Sequence, residues 1–171
     1  MMNIMNLYSL NIGEGTVDGI DNKLLLKHCL SHQKTISDDE TDTHSEDTII
    51  PMSDEVKKII QKVCDDLGYE VKLHSFWAHI HEPNQSTNLH NHATARDLIN
   101  GPEISCVYYV SVPKGSGKLV FQYLENKYEE KRYYVNPQEG KYYIFPSTLD
   151  HFVTRNNSEE SRVSISFNFR Q

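Results

Sequence analysis

Apolar residues recur along this chain with two different periods, and the switch between them falls near Tyr69. Before it, Val56, Ile59, Ile60, Val63, Cys64 and Leu67 form one stripe at helical spacing. Ser53 is placed to cap that helix, Asp54 and Glu55 put negative charge in its first turn, and Gly68 is placed to end it. A shorter helix is predicted around Leu24, Leu25, Leu26, Cys29 and Leu30. The stretch 32–50 has few apolar anchors and reads as a polar, acidic surface loop. After Tyr69 the pattern shortens to strands broken by turn residues, predicted over 70–81, 104–112, 118–123, 132–136, 141–145, 151–155 and 162–169. Pro113-Lys114-Gly115-Ser116-Gly117 and Asn136-Pro137-Gln138-Glu139-Gly140 are two of the breaks.

That many short strands favour a double-sheet jelly roll over a parallel sheet. The expected class is mainly β with N-terminal helices. Residues 1–171 read as a single domain, with a helical support region over 1–69 and a jelly-roll core over 70–171. The last strand is the most regular. Val163, Ile165, Phe167 and Phe169 share one face, fit to pack on the helices; Arg162, Ser164, Ser166 and Asn168 share the other. A polar strand face normally meets water, but in a jelly roll it can line the cup.

Composition removes several function classes. The chain carries 17 basic and 24 acidic residues, a net charge of −7, and no basic stripe, which argues against general nucleic-acid binding. No apolar run approaches the ~20 residues that span a bilayer. Met1 to Leu10 lacks the basic start and apolar core of a signal peptide. Cys29, Cys64 and Cys106 form no disulfide framework and no Cys-x-x-Cys zinc element. A cytoplasmic setting follows as the expectation; the oligomeric state is not readable.

The candidate chemistry lies in the histidines. His90 and His92 are one residue apart and would share a face of an extended strand, and His151 would close a three-point metal site. Imidazole suits iron, zinc, copper and nickel alike, so the set defines a site rather than a metal. His79-Ile80-His81 repeats the spacing and reads as two histidines on a partly exposed strand. His28, His32 and His44 read as surface residues, and His74 as a strand residue without a special role. Tyr108, Tyr133, Tyr134, Tyr142, Tyr143, Phe76 and Trp77 read as core and cup-rim packing, and Cys106 as a small buried residue.

The order of these elements carries a resemblance. His90-Asn91-His92 ends a polar loop over 82–89. The strand from Ile104 to Pro113, the turn Gly115-Ser116-Gly117, the segment Gly140 to Pro146, His151 and Arg162 follow in turn. This series resembles the 2-oxoglutarate- and Fe(II)-dependent oxygenases of the prolyl-4-hydroxylase-like branch, most closely a group in phages and marine bacteria that carries His-x-His. The resemblance covers about residues 75–170.

It implies a double-stranded β-helix (a cupin-like jelly roll) and a dioxygenase, hydroxylating in type, that uses Fe(II), 2-oxoglutarate and O2. It implies His90 and His151 as iron ligands, with His92 where most members have Asp. It further implies that Arg162 pairs with the C5 carboxylate of 2-oxoglutarate and that Tyr109 reaches the same group. Ser164 completes an Arg-x-Ser pattern, Val107 packs on the co-substrate chain, and His81 lies near a position that helps hold its other end. A planar, permanently charged guanidinium suits one end of a dicarboxylate.

Position 92 leaves three readings open. His92 is a third ligand, which its parity favours; or a second-shell group, with water or a carboxylate such as Asp97 or Asp150 on the metal; or the chain is no longer an oxygenase. The alternative functions are a three-histidine cupin-like dioxygenase and a metal-binding module, neither using 2-oxoglutarate. The substrate is expected to be a peptidyl residue or a small molecule. The loop from Asn91 to Glu103 is long enough for a lid, in which Arg96 and Asp97 read as plain surface charges.

Overall fold

A computed structural model describes residues 9–33, 47–92 and 100–171. Its elements in chain order are β1 (Gly13–Thr16), α1 (Asn22–Ser31), β2 (Asp47–Thr48), α2 (Asp54–Leu67), β3 (Lys72–His81), β4 (Thr87–His90), β5 (Ile104–Ser111), β6 (Leu119–Asn126), β7 (Glu129–Tyr134), β8 (Lys141–Pro146), β9 (His151–Val153) and β10 (Arg162–Arg170). Two antiparallel sheets result, ordered β1-β8-β5-β10-β3-β2 and β4-β9-β6-β7. Between β3 and β10 the chain changes sheet at every connection except the β6–β7 hairpin. That is a jelly roll, the double-stranded β-helix the resemblance implies.

The helices support one sheet from behind. α2 starts at Ser53, whose side chain accepts a hydrogen bond from the Val56 amide, and stops at Gly68 in the left-handed conformation (φ 72°). α1 is capped by Asp21, which accepts from the amides of Lys23 and Leu24. Val56, Ile59 and Val63 of α2, with Leu25 and Cys29 of α1, pack on Ala78, Ile80, Val163, Ile165, Phe167 and Phe169. The apolar face of β10 therefore meets the helices as its alternation predicts. Its polar face does not meet water: Arg162, Ser164 and Asn168 are buried and turn into the cup between the sheets. A second apolar cluster, including Val107, Tyr109, Leu119, Phe121 and Phe145, lines that interior.

Three strands lie outside the predicted set. β4 forms within the expected polar loop because it pairs with β9, and β2 forms at the end of the expected acidic loop because Asp47 and Thr48 pair with His79 and Ala78. β1 pairs with β8, where Gly15 leaves room for the Tyr142 ring. Ile50, within the same acidic stretch, is a buried anchor. Gly117 is required by its backbone, at φ +88°, and a β-carbon there would collide with the Thr154 carbonyl. Tyr108, Tyr142, Tyr143 and Cys106 are buried as expected, whereas Tyr133 and Tyr134 are exposed on the β7 edge strand. His44, Arg96 and Asp97 lie outside the described residues. No described helix is long and apolar enough to cross a membrane.

Candidate metal centre

The ladder between β4 and β9 sets His90 directly opposite His151. His92 lies just past the end of β4, not on it, and its amide donates to the Ser147 carbonyl oxygen at 2.8 Å. The three rings converge, with centroids 4.3 Å apart for His90 and His151, 5.0 Å for His92 and His151, and 5.3 Å for His90 and His92. One nitrogen from each lies within 4.8 Å of the others. Among the described residues no other group of His, Cys, Asp or Glu meets that condition.

The hydrogen bonds show which nitrogens are available. His90 Nδ1 lies 2.8 Å from the Asn88 carbonyl oxygen, and His151 Nδ1 lies 2.9 Å from that of Leu149. His92 Nδ1 lies 2.8 Å from Asn168 Oδ1. Each Nδ1 faces an acceptor and so carries the proton, which leaves three Nε2 lone pairs. Of the carboxylates proposed to replace His92, Asp97 is outside the described residues and Asp150 accepts from Asn91 Nδ2 at 2.7 Å. Trp77 packs edge-on against His92, and Phe145 against His151.

Burial favours the neutral form of His151, His92 and His81. It pushes His151 down to about 3, with help from the charge of His90. It pushes His92 down to about 4, against the hydrogen bond to Asn168, which favours the charged form. His81 falls to about 2 through burial and then the charge of Arg162. An unfolded imidazole titrates near ~6.5, so the unfolded chain binds more protons and stability falls as pH drops. In EDTA, urea unfolding should show the metal-free protein losing up to ~1.4 kcal/mol per pH unit for each of the three between about pH 6.5 and about pH 4. A flat profile over that window would contradict buried, neutral histidines.

Deeper in the cup, Arg162 is 1% exposed and the phenol of Tyr109 is 0% exposed. The guanidinium lies over the Tyr109 ring, 5.2 Å from its centroid, and Nη1 donates to His81 Nδ1 at 3.1 Å. Arg162 Nε and Tyr109 Oη have no hydrogen-bond partner, and no carboxylate among the described residues pairs with Arg162. Burial lowers the Arg162 pKa, and burial raises that of Tyr109 against the pull of the Arg162 charge. A buried guanidinium left without an anion is costly.

Val107 and Ser164 line the same cavity as the triad and Arg162. His81 is not on a partly exposed strand: it is buried, and its Nε2 lies 2.7 Å from Thr87 Oγ1. Both its ring nitrogens are engaged, one with Arg162 and one with Thr87. Its neighbour in the repeat, His79, stacks on it at 4.9 Å and also lines the cavity. His74 is exposed on β3, as expected.

Asn156 was not singled out by its sequence. It donates to the His81 and Glu160 carbonyl oxygens, and its backbone exchanges hydrogen bonds with the 84–85 turn that precedes β4.

Comparison with known proteins agrees with this geometry. A family model described as "Putative 2OG-Fe(II) oxygenase" matches residues 75–168, more than half of the chain. The chain belongs to that oxygenase family. Fe(II) and 2-oxoglutarate are accordingly its cofactor and co-substrate.

Solved oxygenases share the fold at low identity. One is a viral collagen prolyl hydroxylase from Paramecium Bursaria Chlorella virus-1 in its 2OG complex (14% identity, 93% of this chain and 94% of that one, TM-score 0.67). Another is a non-heme alpha-ketoglutarate-dependent carbocyclase from nogalamycin biosynthesis (11% identity, 94% and 79%, TM-score 0.70). A third is a prolyl hydroxylase from Trichoplax adhaerens in complex with a hypoxia inducible factor peptide fragment (14% identity, 92% and 82%, TM-score 0.63). No curated protein matches the chain significantly.

Proposed function

We propose that this oxygenase holds Fe(II) through Nε2 of His90, His92 and His151, and holds 2-oxoglutarate by its C5 carboxylate on Arg162 and Tyr109. The carrying observation is the buried guanidinium whose Nε has no partner, in the cavity that the histidines line, with the Tyr109 ring against it. This favours a 2-oxoglutarate site over a three-histidine dioxygenase or binding module, which have no use for a buried cation there. The donor set also fits the metal: neutral imidazoles with free Nε2 atoms are good ligands for divalent iron.

Iron and 2-oxoglutarate together supply, with O2, an oxidant able to take hydrogen from an unactivated C–H bond. The chain's own residues position and shield. Arg162 gives the dicarboxylate a fixed, charged anchor, and His81, tied to Thr87, braces the guanidinium. Ser164 and Val107 line the path between the two ends, and Phe121 and Phe145 keep water from His151. The cavity measures about 30 Å³, room for roughly one water, so seating a five-carbon diacid requires side chains to part.

The substrate is read as a peptidyl residue or a small molecule, and the reaction as hydroxylation. A cavity of about 770 Å³ borders Leu149 and Asp150, immediately before His151, and offers room for a substrate. Residues 1–171 are read as one oxygenase domain. Three free cysteines suit a reducing, cytoplasmic setting, and the acidic charge balance gives nucleic acid no evident footing.

His92 is the ligand most open to test. His92→Ala should weaken Fe(II) binding, measured by anaerobic calorimetry, by more than ~100-fold, as should His90→Ala. Outer-shell groups around metals cost ~10–100-fold. A loss of ~100-fold or less for His92→Ala alone would place it outside the coordination sphere.

A further inference from the structure

Three buried polar side chains gather beneath His92, two of them, Ser105 and Ser147, with no role in the account so far. Ser105 and Ser147 are 0% exposed and Asn168 is 5% exposed. Ser105 Oγ lies 2.8 Å from His92 Nδ1, donates to Asn168 Oδ1 at 2.8 Å, and lies 2.8 Å from Ser147 Oγ. Asn168 Oδ1 is itself 2.8 Å from His92 Nδ1, while Asn168 Nδ2 donates to Ser75 Oγ at 3.2 Å. The bond to Ser75 turns the amide nitrogen away and the oxygen toward the imidazole.

A carbonyl oxygen only accepts. At 2.8 Å it repels a nitrogen lone pair and binds an N–H, so it selects the tautomer with the proton on Nδ1. His90 and His151 get the same selection from main-chain carbonyls, which any residue supplies. His92 lies beyond the end of its strand and gets it from side chains on the opposite sheet, the Asn168 amide oxygen with Ser105 Oγ beside it. A carboxylate at position 92 would need no tautomer chosen; an imidazole does.

We propose that Asn168 is the positioning residue that makes His92 a metal ligand: its amide oxygen fixes the Nδ1–H tautomer and leaves Nε2 facing His90 and His151. The proposal rests on the three-histidine reading of the site. Ser105 and Ser147 hold the amide oxygen in place. Such partners orient a ligand and raise its basicity.

The test uses the full metal-stripped chain with Co(II) as probe. Asn168→Leu should weaken Co(II) binding by ~10–100-fold, whereas Asn168→Asp, which accepts the same hydrogen bond, should bind no more weakly than wild type. Two-bond proton–nitrogen NMR on the wild-type chain, which needs no variant to fold, should find the His92 proton on Nδ1. A proton on Nε2, or Asn168→Leu with wild-type affinity, overturns the proposal. His151→Leu separates the two levels. If it abolishes Co(II) binding while Asn168→Leu does not alter it, only the role of Asn168 falls; if Co(II) binding survives His151→Leu unchanged, the three-histidine reading falls first and the proposal with it.

Discussion

Arg162→Leu is expected to cost nearly all affinity for 2-oxoglutarate while leaving the metal-free fold as stable as before or more so. The two effects have one cause. The guanidinium is fully desolvated, its Nε has no partner, and no carboxylate among the described residues offsets its charge. Replacing even a paired buried charge with an apolar side chain is often neutral or stabilising by ~1–4 kcal/mol, and here the pair is incomplete until an anion arrives. Val107, Leu119 and Val153 already line that cavity, so leucine enters an apolar surround. Truncating one partner of a buried, hydrogen-bonded charge pair costs ~2–5 kcal/mol of binding, or roughly 30- to several-thousand-fold in affinity. Calorimetry with 2-oxoglutarate and thermal unfolding measure the two arms. A variant that unfolds earlier yet binds the diacid as before would show that Arg162 is structural.

His151→Leu is expected to abolish metal binding and turnover without unfolding the chain. His151 is the buried member of the triad, and its ring is walled by Phe145 and Phe121. Burial already holds it neutral, so leucine removes no charge and no ion pair. On the proposed reading it removes a ligand, the only one supplied by β9, and His90 with His92, just past β4, are a poor cage for a divalent ion. The loss of metal affinity should exceed the ~100-fold that outer-shell changes cause. Retained circular dichroism beside lost metal binding would separate site from scaffold.

The legible parts of this molecule are those whose local signals agree. α2 could be read to the residue because stripe, N-cap, acidic first turn and glycine stop all coincide. β10 was legible on both faces because its alternation is unbroken over Arg162 to Phe169. β4 was not: Thr87-Asn88-Leu89-His90 has one large apolar residue, Leu89, and that is exposed, so its extended form comes from pairing with β9. β2 is likewise made by its partner strand rather than by its own two residues.

The two His-x-His pairs looked alike in sequence. The order of the elements after His90 favoured that pair, and the fold separates the two by placing His90 and His92 beside His151 and tying His81 to Arg162. Asn168 stood in the predicted polar stripe without a reason to be asparagine. Its reason lies in His92, far away in the chain and reached only when β10 closes on β5. Ser105 and Ser147 carried no signal at all, since a buried serine and a surface serine are the same letter.

The central claim is that this cup joins a three-histidine iron site to a buried arginine that anchors 2-oxoglutarate. Conversion of 2-oxoglutarate to succinate and CO2 without added substrate, measured with Fe(II) and ascorbate in wild type beside His151→Leu, tests it most directly. Iron-dependent conversion in wild type that disappears in His151→Leu is the predicted result. No conversion by iron-loaded wild-type protein, or conversion that persists in His151→Leu, would contradict it.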